Sequence, residues 1–275
     1  MYKINLLLCI LLISACSGAQ TASPDPDITV HRLTLTTSTN QLPSDAQRQI
    51  IQDIESRTYK HANSEEEIVE RVRYACQVRG FFKAEVGRPS VTVVGGTPQK
   101  EVVDIFLAVS EGEQYRLKDI SFTREKAFSA EELRAEFHIV DGDIFNTEEI
   151  RQGLDSLRKL YQSKGYVNFT PVPNTQADAA HTISLVVDVD EGAQFRIGRL
   201  VLDGPEPKPG AGAKLLENWK QYEGQIYDPR IPEQFLRNNA ALLPAGVTFG
   251  NNLAITQDAH LHILIFRLEL PNPVD

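Results

Sequence analysis

Tyr115-Arg-Leu-Lys-Asp-Ile-Ser-Phe122 places apolar side chains at Tyr115, Leu117, Ile120 and Phe122. The same spacing recurs upstream in Ile28, Val30, Leu33 and Leu35, and downstream in Phe195, Ile197, Leu200 and Leu202. Within each pair the alternation is that of a β-strand. The step of three between pairs moves the apolar side across the strand, as a β-bulge or a strand entering between two layers does. One rule, found three times, marks a tandem repeat.

Each opening strand precedes two helical stretches. In the middle copy Ser129 and Glu132 form a capping box ahead of Leu133 and Phe137. Asn146 and Glu149 introduce a helix whose one face carries Ile150, Leu154, Leu157, Leu160 and Tyr161, and Gly165 stops it. Upstream, Ser44 and Gln47 lead into Ile50, Ile51 and Ile54, then Ser64 and Glu67 into Ile68, Val72 and Cys76 before Gly80. Downstream, Leu215, Leu216 and Trp219 make the first apolar face, and Asp228-Pro229 opens the second helix. Two strand-like runs close each copy: 83–94 and 102–110, 167–172 and 181–190, 247–255 and 260–270. In the last strands Ile105, Leu107 and Val109, then Ile183, Leu185, Val187 and Val189, then Leu261, Ile263 and Ile265 are expected to face the helices. The pattern predicts an α+β chain of three β-α-α-β-β modules over 28–112, 113–192 and 193–270, each a three-stranded sheet with two helices on one face. Ser-Glu-Gly at 110–112 and Asp-Glu-Gly at 190–192 leave only short joints, so the modules are expected to form a semi-rigid string.

The chain of 275 residues is 41% hydrophobic with a net charge of -9, which disfavours a nucleic-acid partner. Lys3 followed by the apolar run 6–13 reads as an export signal over 1–15, too short to span a bilayer. Ile13-Ser14-Ala15-Cys16 resembles a lipobox, making Cys16 the candidate lipidation site and 16–27, with Pro24 and Pro26, a flexible tether. Ordinary cleavage after Ala19 is the rival reading and leaves a free periplasmic protein. Either way Cys76 remains alone, without a disulfide partner, and reads as a small core residue.

No catalytic constellation emerges and no cofactor is implied. His260 and His262, two apart on an expected strand, are a weak metal pair lacking a third ligand. The runs 65–67 and 131–132 of Glu belong to first helical turns, where carboxylates favour the helix dipole.

The middle copy, with Tyr115–Phe122, Gly142-Asp-Ile-Phe-Asn146, Leu160-Tyr161, Gly165-Tyr166 and Asp190-Glu191-Gly192, resembles the POTRA domains of BamA-type outer-membrane assembly factors. The third copy repeats Gly224-Gln-Ile-Tyr-Asp228 but lacks the Gly-Tyr pair, and the first offers Gly80-Phe81. BamA-type proteins continue into a β-barrel of at least about eight strands. This chain ends at 271–275 without that length, so insertase activity is not expected to carry over. The resemblance implies a non-enzymatic arm that contacts an outer-membrane β-barrel protein or unfolded outer-membrane and secreted polypeptides in the periplasm; the lipobox-like segment adds the expectation that lipid on Cys16 tethers it to the outer membrane. A structural or adhesive envelope lipoprotein is the alternative. The resemblance also puts the second strand of each module at a sheet edge open to strand addition. The candidate edge residues are Val91 and Val93, then Val167, Asn168, Phe169 and Thr170, then Val247 and Phe249. The alternative for each is that it faces its own module's core.

Overall fold

The computed structural model describes residues 25–271; the signal segment, Cys16 and most of the 271–275 tail lie outside the described residues. The first sheet contains β1 (Asp27–Thr37), β2 (Thr58–Lys60), β3 (Glu85–Val86), β4 (Ser90–Thr97) and β5 (Lys100–Ser110), with helices α1 (Ser44–Glu55) and α2 (Ser64–Gln77). The second contains β6 (Arg116–Thr123), β7 (Thr170–Ala177) and β8 (Thr182–Asp190), with α3 (Ala130–Ala135) and α4 (Thr147–Gln162). The third contains β9 (Arg196–Asp203), β10 (Leu253–Asp258) and β11 (Ile263–Glu269), with α5 (Ala211–Trp219), α6 (Arg230–Asn238) and the single turn α7 (Phe249–Asn252). In each sheet the closing strand is central. The opening strand lies parallel on one side of it and the second strand antiparallel on the other. This is the expected α+β architecture. The first sheet adds β2, which pairs with β1, and its second strand is broken into β3 and β4 around Pro89.

The step of three in the opening strands is a β-bulge. The register shifts once in each parallel pair: between Val30 and Arg32, between Leu117 and Asp119, and between Leu264 and Phe266. An extra residue restores the phase of the pleat, so both apolar pairs lie on the helix side instead of opposite faces. Tyr115, Leu117, Ile120 and Phe122 are accordingly all buried. In the third sheet the bulge carbonyl of Gly198 accepts a buried hydrogen bond from Trp219 Nε1 at 2.8 Å.

Side chains cap the two helices of the second module, whereas α1 and α2 begin at Ser44 and Ser64 without a side-chain cap. Ser129 and Glu132 form the reciprocal capping box, and the Asn146 side chain accepts from the N–H groups of Glu148 and Glu149. One phase differs from expectation. On β11 the buried residues are Leu264, Phe266 and Leu268, whereas Ile263 and Ile265 are only half-buried and Leu261 lies exposed in the preceding turn. Ile-Leu-Ile-Phe is apolar at both parities, so alternation alone cannot choose a face.

The modules meet through one joint, built twice. Gly80 and Gly165 follow α2 and α4 with φ of 86° and 81°, and their carbonyls accept the N–H of Tyr115 and Phe195, both at 2.8 Å. The amides of Gln114 and Gln194 donate to the carbonyls just before those glycines, Arg79 at 2.9 Å and Lys164 at 3.0 Å. Ile144 and Ile226, from the Gly-x-Ile turns, cover the glycines so closely that an added Cβ would sit 2.6 and 3.0 Å from their methyls. The residues after the glycines cross over: Phe82 packs on the second core, where it meets Phe145 edge-on at 5.4 Å, and Val167 packs on the third.

Gly165→Ala therefore combines a left-handed alanine with a Cβ 2.6 Å from the Phe195 carbonyl oxygen. We expect a loss of about 1–3 kcal/mol in urea unfolding and a broadened distance distribution between spin labels on the second and third modules. Gly246→Ala, at φ 84° with nothing within 4 Å of its Cβ, costs only the backbone part, about 1 kcal/mol.

Candidate functional site

Backbone hydrogen bonds fix which residues face outward on each edge. Val109 gives its carbonyl to Ser38 on the β1 side, and Ala108 gives its own to Gly87 on the other. Alternation then turns Phe106 and Asp104 toward β4, where their register partners Ser90 and Thr92 point inward. Val91 and Val93 are left with N–H and C=O directed outward. Their side chains lie on the helix side, opposite buried Ile105 and Val103, yet Val93 is 59% and Val91 38% exposed. The strand Ser-Val-Thr-Val-Val-Gly-Gly-Thr carries no charge and no proline. β2 covers the far side of β1 at Asp27–Thr29 alone, and β4 forms the edge on the other side of β5.

The β7 edge is different. Asp178 N–H donates to the Thr182 carbonyl, so even-numbered residues of β8 face β7 and the outward positions of β7 are 171, 173, 175 and 177. The first two are Pro171 and Pro173, which have no N–H. Proline at outward edge positions keeps the ladder whole and removes the donors that an added strand needs. On β10, the bond from Leu270 N–H to the Asp203 carbonyl sets the outward positions at Leu253, Ile255 and Gln257. Gln257 exchanges amide hydrogen bonds with Asn168 at 3.0 and 3.1 Å.

The eight candidate edge residues thus separate. Val91 and Val93 lie on β4, and Thr170 is the first residue of β7. Val167 and Asn168 precede β7 and serve the joint with the third module. Phe169 is buried, stacked on Tyr161 with centroids 3.9 Å apart. Val247 and Phe249 pack on the third core ahead of β10. Missed in the sequence were the two prolines, whose alternation in Thr-Pro-Val-Pro was the available signal.

Beside β4 runs a groove of about 460 Å³, walled by Val91, Val93 and Ile28 on the sheet side and by residues 61–66 at the start of α2, with Glu101 at one end. Other charged or reactive residues serve the fold. Cys76 is buried, and burial pushes its thiol up to about 11. His260 and His262 sit in the turn before β11: Asp258 accepts the His260 N–H, and the His262 ring rests on Phe195. Among the described residues no group of three or more His, Cys, Asp or Glu is arranged to hold a metal ion.

The closing Ser-Glu-Gly and Asp-Glu-Gly turns work as latches. Glu111 accepts the N–H groups of Ser38 and Thr39 at 2.9 and 3.2 Å; Glu191 accepts those of Lys126 and Ala127, each at 2.8 Å, and the Tyr161 hydroxyl at 3.1 Å. Each carboxylate ties the turn after an opening strand to the end of its closing strand.

Residues 115–192 match the POTRA family, described as a surface antigen variable number repeat. The middle module is a POTRA domain. A putative outer membrane protein assembly factor of Treponema pallidum is 29% identical over 128 residues, covering 46% of this chain and 15% of its own length. The outer membrane protein assembly factor BamA of Neisseria meningitidis serogroup B is 26% identical over 115 residues, 37% of this chain and 14% of its own. The chain thus spans a small part of the curated relatives that it matches. The crystal structure of the third to fifth POTRA domains of Haemophilus influenzae BamA superposes with a TM-score of 0.62 at 17% identity, covering 90% of this chain and 96% of that one. That likeness establishes the fold of a POTRA string.

In the POTRA module, burial opposes ionisation of Glu191, but the converging donors outweigh it and hold the carboxyl below the ordinary glutamate range. A depressed carboxyl stabilises the fold above its unfolded pKa of about 4.3, and that contribution is lost as pH falls through the folded value. Glu191→Gln is expected to destabilise at pH 7, with the difference from wild type shrinking below about pH 4; urea midpoints across pH 3 to 7 measure it.

Proposed function

We propose that the chain is a non-enzymatic docking scaffold for outer-membrane protein assembly or secretion, holding extended polypeptide by strand addition to β4. The observation that carries the reading is an uncharged, proline-free edge with outward N–H and C=O groups at Val91 and Val93, in a chain whose β7 edge bears Pro171 and Pro173. Natural sheets guard exposed edges with prolines, charges or covering segments. An edge free of proline and charge, beside a groove whose sheet side is apolar, is suited to strand capture, where main-chain bonds give affinity and the groove reads alternate side chains. The likeness to assembly factors supports the same reading, with an outer-membrane barrel protein or unfolded outer-membrane and secreted polypeptides as partners. Periplasmic placement by a lipid on Cys16 belongs to this proposal, and fatty-acid labelling of wild type and Cys16→Ser tests it.

The edge itself is tested with Val91→Pro. Because residue 91 points its N–H outward, proline there leaves the β4 to β5 ladder whole while removing one donor. Circular dichroism is expected to stay unchanged. Binding of a synthetic ten-residue outer-membrane β-strand peptide should weaken at least about tenfold, about 1.4 kcal/mol. Thr175→Pro on β7 should leave binding as it was. A folded Val91→Pro protein that binds the peptide normally would reject the β4 site.

A further inference from the structure

The groove beside β4 also has a charge. Glu65 and Glu66, in the first turn of α2, and Glu101, at the Gly96 end of β4, line it together with Val91, Val93 and Ile28. His61, Asn63 and Ser64 complete that side. Among the described residues, Arg88 is the one cation paired with these three carboxylates: it approaches Glu65 at 3.7 Å, with its side chain 89% exposed. The neighbouring Glu67 and Glu70 are already held by Arg71 and Arg73 on their own helix. Three carboxylates against one loosely held arginine leave the groove anionic, while its floor is apolar and its edge strand is uncharged.

Resting on the strand-addition reading, we propose that β4 selects a cationic extended segment, in which apolar residues alternate with Lys or Arg. Side chains of an added strand that face the helices lie across from Val91 and Val93, where apolar residues make favourable cross-strand pairs. A long side chain two positions along can reach back across β4 toward Glu65, Glu66 and Glu101. Lys and Arg suit that place because their stems cover the valines while their charged ends reach the carboxylates. An acidic segment is repelled. A second copy of this chain fits poorly, since its own β4 has no cation to offer and pairing two edges would bring two sets of the same three glutamates together. The attraction acts at an exposed surface and weakens as salt shortens its range, to about 10 Å at 0.1 M.

The test uses the full chain and two fluorescent peptides with the same apolar residues, one with Lys and one with Glu at the intervening positions, titrated by polarisation at low and high salt. Wild type should bind the Lys peptide at least tenfold more tightly, with the preference shrinking as salt rises. Glu65→Gln, Glu66→Gln and Glu101→Gln combined should erase the preference, and the three Lys substitutions should invert it. Val91→Pro should weaken both peptides. Equal binding of the two peptides by wild type, or a preference unmoved in the Gln variant, overturns the charge selectivity and leaves strand addition standing if Val91→Pro still weakens binding. Binding indifferent to Val91→Pro removes the strand-addition reading itself. Sedimentation showing that wild type dimerises and that Val91→Pro restores the monomer would make a second copy the occupant and also overturn the proposal.

Discussion

A single hydrogen bond, from the first N–H of one module to a left-handed glycine carbonyl of the module before it, sets the geometry of the string. It forms only because glycine adopts that backbone conformation without strain and because no Cβ stands between the carbonyl and the incoming strand. Everything near it is arranged around that approach. The glutamine amide satisfies the preceding carbonyl, the isoleucine of the Gly-x-Ile turn seals the glycine from water, and the second residue after the glycine enters the following core. Tyr115 and Phe195 are therefore at once the first core residues of their modules and the points of attachment to the preceding one.

Much of this was legible in the sequence. The capping signals at Ser129 and Asn146, the apolar faces of α2 and α4, and the opening strands all depend on local chemistry repeated at fixed spacing. The step of three could mean two things on paper, a bulge or a strand entering between two layers, and only pairing with β5, β8 and β11 decides for the bulge. What the sequence concealed was which apolar residue belongs to which body. Val167 and Phe169 alternate as a strand would, yet one packs on the next module and the other on its own. Val247 and Phe249 misled in the same way, because Leu253 and Ile255 further on form the actual edge. Alternation reports that a side chain is buried and carries no label for the partner that buries it.

The edges that β4, β7 and β10 form show how one fold is tuned by a few residues. Two prolines blunt β7, an amide pair from the neighbouring module flanks β10, and β4 has neither. The first sheet also carries a short extra strand, β2, with buried Tyr59, which covers the beginning of β1 on its other side.

The crossing of Phe82 and Val167 has a consequence for how the chain is made. Each module completes its neighbour's core, so a module that emerges first presents an unsatisfied aromatic or aliphatic side chain until the one behind it arrives. During synthesis, amino end first, folding is thereby ordered in time: each new module is met by a hydrophobic residue already fixed at the end of a finished helix. The string assembles like a row of tiles, each laid against the projecting edge of the last.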